Sequence, residues 1–162
     1  MNAIDLLVSQ HRRIEASLKQ VLDAEGPEAR SRCFAEVADL LTVHIASEED
    51  LFYPAVRARR TEAILLESLE EHLSLKRLLS DLLELAPGEQ TFVPKFKVLK
   101  EQSEHHHEEE EENLFPKVRA LLDDGQLDTL GAEMSALQRR LQQAGEPREA
   151  VAEQTDKAAP LK

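Results

Sequence analysis

The 162-residue sequence has no tryptophan, one tyrosine, one cysteine and only five glycines. A β-sheet core draws on β-branched and aromatic side chains, so a sheet protein is disfavoured from the outset. The lone Cys33 cannot close an internal disulfide, which excludes a disulfide-built scaffold and makes the cytoplasm the expected location. No apolar run approaches the ~20 residues needed to cross a bilayer. The opening MNAIDLLVSQHRR has no basic region ahead of an apolar stretch and is not read as a secretory signal. Positive charge is also scarce, with 20 Lys+Arg against 32 Asp+Glu and a net charge of -12. Such a surface repels polyanions, so neither nucleic acid nor an anionic membrane is an expected partner.

What remains is leucine, alanine and charge, the composition of helices. Apolar residues recur at three- and four-residue steps in segments separated by Gly26-Pro27, Ala86-Pro87-Gly88 and Asp123-Asp124-Gly125. The pattern predicts helices over about Asn2 to Glu25, Glu28 to Arg60, Thr61 to Leu85, Thr91 to Leu122 and Gln126 to Gln143. Leu51 and Ala55 fall on the inward stripe of the second, Leu114, Val118 and Leu121 on that of the fourth, and Leu137 and Leu141 on that of the fifth. Pro54 predicts a kink or break near the end of the second helix. Short connections between long helices imply an all-α, up-down-up-down antiparallel four-helix bundle over residues 1–124, with a short fifth helix at 125–145. Residues 146–162 lack apolar periodicity and are expected to form a disordered tail.

The stripes are interrupted by histidine. The segment His44 to Ala58 lies over His106 to Ala120 without a gap, matching His, Glu, Glu, Pro, Val, Arg and Ala. Nearly the same offset carries His11 to His72, so the chain reads as two helical hairpins of one design. At about 1.5 Å of rise per residue, His11, the His44/Glu48 pair, His72 and the His106/Glu110 pair fall at one level of the bundle. His105/Glu109 and His107/Glu111 have the same four-residue spacing, but the repeat register and the stripe select His106/Glu110.

Four imidazoles and two carboxylates buried without partners would be costly. A pair of cations relieves both costs, and mixed nitrogen and oxygen donors with bridging carboxylates suit iron, with manganese or zinc as substitutes. The metal ligands expected are therefore His11, His44, Glu48, His72, His106 and Glu110.

Filled by these residues, the pattern H…HxxxE…H…HxxxE resembles that of the hemerythrin-like, or HHE cation-binding, domains over about residues 3 to 122. The flanking EEDLFYP and EEENLFP resemble the family as well. The resemblance implies two non-heme irons, bridged by oxo or hydroxo and by carboxylate, inside a four-helix bundle. It also implies binding or sensing of O2, peroxide or a similar small ligand, with iron handling and peroxide or nitric oxide chemistry in some branches. Oxygen-carrying members place a second histidine four residues after the one on the third helix, where this chain has Lys76. That cation would oppose a metal unless it turned to solvent. Tyr53 is a candidate for the vacated coordination position, or else a packing aromatic beside Phe52, and Glu15 is a candidate to orient the His11 imidazole. The expected function is an O2-binding or O2-sensing di-iron protein. A peroxide-decomposing, catalase-like enzyme and a metal-free signalling bundle are the alternatives, and the protein partner is open. Ferritin-like di-iron bundles need ExxH on two helices, whereas here Glu104/His107 stands alone and off the stripe.

Overall fold

The computed structural model describes residues 1–162, and it is all-α. Helix α1 (Ala3–Asp23) begins where the Asn2 side chain accepts the Asp5 amide at 2.8 Å. Gly26, at φ +93°, makes the turn that an L side chain would strain, and Pro27 then opens α2 (Pro27–Ser47). The second rod continues through a π-helical segment, Glu48–Phe52, into the short α3 (Tyr53–Ala55). The Thr61 hydroxyl donates to the Val56 carbonyl and accepts the Ala58 amide, bracing the corner into α4 (Glu62–Leu83). Helix α5 (Phe92–Glu109), a second π segment (Glu110–Leu114) and α6 (Phe115–Leu121) form the fourth rod. A capping box between Asp123 and Gln126 starts α7 (Asp124–Gln143).

Helix α1 packs on α2 and α5, and α4 packs on α5 and α2, closing a ring of four rods. Helix α7 lies outside this ring against α1 and α2. It fits there because residue 131 is glycine: a Cβ would stand 2.5 Å from the Met1 carbonyl oxygen. Two apolar clusters fill the interior. One gathers Ile14, Leu18, Phe34, Leu41, Leu79, Phe92 and Phe96; the other gathers Ile4, Leu7, Phe52, Leu65, Phe115 and Met134. Each of these large side chains contributes about 1.5–3 kcal/mol on burial. Between the two clusters lies a layer of buried histidine and glutamate.

Three expectations are corrected here. The second helix ends at Ala55 rather than near Arg60, and Pro54 is absorbed by a π segment rather than a sharp break. Because the π segment adds a residue to one turn, the inward stripe slips by one from its expected register after Glu48, whereas after Glu110 the expected Leu114 and Val118 stay buried. Phe52 and Val56 are buried where Leu51 and Ala55 were expected, and Phe115 joins Leu114 and Val118 while Leu121 is exposed. The tail is not disordered: Pro147–Gln154 forms a 3-10 helix against α2 and α4, with Val151 in the first apolar cluster. Asp39 accepts the Arg148 amide and guanidinium, and Arg77 donates to the Thr155 and Asp156 carbonyls. This order comes from contacts across the chain, which local periodicity does not register.

Candidate metal centre

The two π segments sit at equivalent places in the repeat, immediately after the i, i+4 His/Glu pairs. Pro54 and Pro116 have no amide hydrogen to donate, and a proline ring crowds the carbonyl four residues earlier. A local five-residue turn relieves this: the Tyr53 amide donates to Glu48 and the Phe115 amide to Glu110. The device leaves Glu48 and Glu110 facing inward while swinging the following aromatics beneath them.

His11, His44, Glu48, His72, His106 and Glu110 are all buried, and the structure brings their side chains together. The ligand-capable atoms of His11, His44, Glu48 and Glu110 lie within 4.8 Å of one another, as do those of Glu48, His72 and His106. Glu48 belongs to both groups and so stands between two positions. A further imidazole, His107, joins His11 and His44 in a third such group and stacks on His11 at 3.9 Å. Sequence reasoning set His107 aside when it chose the His106 register. Adjacent helical positions are only about 100° apart, so both face a core whose inward arc is broad.

Each Nδ1 of the four expected histidines meets an acceptor. Glu111 takes that of His11 at 2.8 Å, Gln10 that of His44 at 2.9 Å, Glu49 that of His72 at 2.9 Å and Glu71 that of His106 at 2.8 Å. These bonds place the ring proton outside and leave every Nε2 as a lone-pair donor facing inward. The outer partners follow the repeat. Glu49 and Glu111 each follow an inward glutamate, and Gln10 and Glu71 each precede the isolated histidine of their hairpin. Glu15 does not touch an imidazole: it pairs with Arg12, which in turn holds Glu111. Lys76 turns neither to the centre nor to solvent; its buried Nζ donates to Glu49 at 2.8 Å. Tyr53 is buried, with its hydroxyl 2.8 Å from Glu110 Oε2, to which it donates, and 3.2 Å from His72 Nε2. Its repeat partner Phe115 has no hydroxyl and stacks on His11 instead.

Burial, reinforced by the neighbouring His11, holds His44 well below the ordinary imidazole range. Burial does the same to His107, again aided by His11, and lowers His72 despite Glu49. For His106 burial is outweighed by Glu110 and Glu71, and its pKa rises. Burial and the adjacent Glu110 push Glu48 well above the usual carboxyl range, whereas His106 and its neighbours overcome burial to hold Glu110 well below it. His11 Nε2, His44 Nε2, both Glu48 oxygens, Glu110 Oε1 and His107 Nδ1 are buried and make no hydrogen bond within the chain. Buried polar atoms are normally satisfied, so a cluster of unsatisfied lone pairs facing one space fits a cation.

The chain matches the hemerythrin HHE cation-binding domain family over residues 2–118. It belongs to that family. The fold is shared with the crystal structure of an HHE cation-binding domain-containing protein from Mycobacterium kansasii, 25% identical with a TM-score of 0.77 over 97% of this chain and 94% of that one. The chain is also 26% identical over 143 residues to a protein of Nostoc sp. described as a DNA nickase, covering 88% of this chain and 41% of that protein's length. The family match ends before α7, whereas the match to the Mycobacterium kansasii structure extends over nearly the whole chain. No helix is long and apolar enough to cross a membrane.

Proposed function

We propose that this HHE-domain protein holds two non-heme irons and binds or senses O2 or a related small oxidant at them. The carrying observation is the inward set of unsatisfied lone pairs on His11, His44, Glu48 and Glu110, together with the outward engagement of the Nδ1 of His11, His44, His72 and His106. In this reading His11, His44 and His107 hold one ion, His72 and His106 the other, and Glu48 and Glu110 serve both. His107 restores a fifth imidazole in place of the one lost at Lys76. Bound iron would supply one-electron chemistry and an open coordination position. The protein's own share is to exclude water, to fix the rings of His11, His44, His72 and His106 through their Nδ1 protons, and to keep the Glu49 charge matched by Lys76. The donor set, nitrogen and carboxylate with no thiolate, suits iron or manganese better than a structural zinc. The acidic surface favours no nucleic-acid partner, so the nicking activity of the longer relative is not carried over. A cytoplasmic setting is part of this proposal, and the single cysteine, which needs no oxidising compartment, is compatible with it.

Metal content per chain, measured on protein purified without chelator, tests the reading. About two irons per chain support it, and His106→Ala should abolish loading while leaving most helicity. A fully helical protein without metal would refute it and favour the metal-free bundle. Peroxide decomposition is a second reading, favoured by the Tyr53 hydroxyl placed between Glu110 and His72, where a proton donor would be useful. Oxygen release from added peroxide, in proportion to bound iron, distinguishes it.

A further inference from the structure

The ring of histidine partners obeys the internal repeat except at one place. His106 is backed by a carboxylate, Glu71, whereas His44 is backed by the amide of Gln10. Gln10 does not stand alone. Its Nε2 donates to Gln138 Oε1 at 2.6 Å, and Gln138 Nε2 donates back to Gln10 Oε1 at 3.2 Å and to Ser47 Oγ at 2.9 Å. The Ser47 hydroxyl donates to the carbonyl of His44 itself at 2.9 Å. Gln138 thus grips both the side-chain partner and the backbone of one histidine. It is buried on α7, at a position where the apolar stripe would place Leu137. Burying a glutamine there requires that its polar atoms be engaged, and they are engaged by Gln10 and Ser47, which each bond His44.

We propose that Gln138 is a positioning residue for one of the two metal positions, acting through Gln10 and Ser47 on His44. Through it, α7 tunes the His11/His44/His107 position separately from the His72/His106 position. The geometry makes the effect selective. Gln138 makes its hydrogen bonds to Gln10 and Ser47 and none to His72, His106 or their ring partners Glu49 and Glu71. A neutral amide also polarises its imidazole less than a carboxylate does, so His44 depends more on being aimed than on being made basic. Gln138 lies outside the residues 2–118 that match the family model.

The inference rests on the dinuclear reading, and the experiment separates the two. Metal-free full-length protein is titrated with Co2+ and followed by visible absorption and by the paramagnetically shifted ring N–H resonances of the ligating histidines. Wild type should take up two ions; failure to bind any overturns the metal centre and this inference with it. Gln138→Leu should weaken one of the two binding steps by about 10-fold, the lower end of the effect of losing an outer partner, and leave the other step unchanged. Only the His44 resonance should move. Gln138→Glu, which still accepts from Gln10 Nε2 but no longer donates to Ser47, should restore only part of the affinity, and Glu71→Gln should weaken the opposite step. Two bound ions with both steps equal to wild type in Gln138→Leu, or both steps weakened alike, would overturn the inference while leaving the centre intact. Should Gln138→Leu lose its helicity, Ser47→Ala loosens the same grip gently, and a His44 resonance unmoved in that variant overturns the inference equally.

Discussion

Replacing Glu48 by leucine separates a metal centre from a structural polar cluster by the sign of one measurement. Both Glu48 oxygens are buried, and neither makes a hydrogen bond within the chain. A buried acceptor left unsatisfied costs about 1–3 kcal/mol, so the pair costs about 2–6 kcal/mol in the metal-free protein. Leucine removes both acceptors from a buried layer that also holds His44, His72 and Glu110, with a shape mismatch that costs about 1 kcal/mol. The net expectation is a gain of about 3 kcal/mol, or roughly 6–12 °C in Tm for a chain of this length. Chelated wild type and Glu48→Leu are melted side by side by circular dichroism, with iron per chain measured on unchelated samples. The variant should melt higher without metal and fail to load two irons. Wild type should gain about 2.7 kcal/mol at free metal one hundred times its Kd, a gain the variant lacks. If metal-free Glu48→Leu instead melts lower than wild type, the carboxylate is stabilising the bundle itself, and the reasoning from unsatisfied lone pairs fails.

Three further outcomes are expected. Tyr53→Phe removes the hydrogen donated to Glu110 and should lower metal-free stability by about 1–3 kcal/mol. It should also alter the visible spectrum of the iron-loaded protein, and an unchanged spectrum would take the phenol out of the centre. Acidification should destabilise the metal-free protein below about pH 6.5. There the unfolded chain takes up protons at His44, His72 and His107, which the folded chain, with all three lowered, does not. His106, being raised, contributes stability that is already complete in that range, and the raised Glu48 opposes the trend with one proton against three. Melts across pH 5 to 8 read the slope, and a flat profile would contradict it. Val151→Ala should cost about 2 kcal/mol, because Val151 is buried among Phe34, Val37 and Leu79; a tail without contacts would show no change.

The all-α class and the inward His/Glu set were legible because both rest on local spacing. A helix whose stripe reads Leu99, Ser103, His106, Glu110 declares its inward face without knowledge of any neighbour. The tail was not legible, since its single core residue, Val151, has no periodic companions and is held through Asp39 and Arg77, far away in sequence. Gln138 was hidden for a related reason. Polar residues count as outward in a pattern, and only a buried partner such as Gln10 reverses that.

The aromatics below the centre make the sharpest case. Read at a steady 3.6 residues per turn, Glu48 is followed inward by Leu51 and Ala55, and Tyr53 lies off the stripe. The sequence nevertheless contains the cause of the slip, because Pro54 and Pro116 stand at equivalent places six residues after Glu48 and Glu110. A proline inside a helix that does not break must be accommodated, and a five-residue turn ahead of it does so at one residue's rotation. That rotation places Phe52 and Tyr53 in one half, and Leu114 and Phe115 in the other, against the histidine layer. The repeat is therefore symmetric in backbone and unequal in chemistry: a phenol stands near His72 where a phenyl ring stands near His11, and His107 stands where the first half has Ile45. One ion would then meet three imidazoles and the other two imidazoles beside a hydroxyl. In the proposed dinuclear reading the two positions would therefore differ in affinity, and a stepwise metal titration would resolve them as two unequal steps.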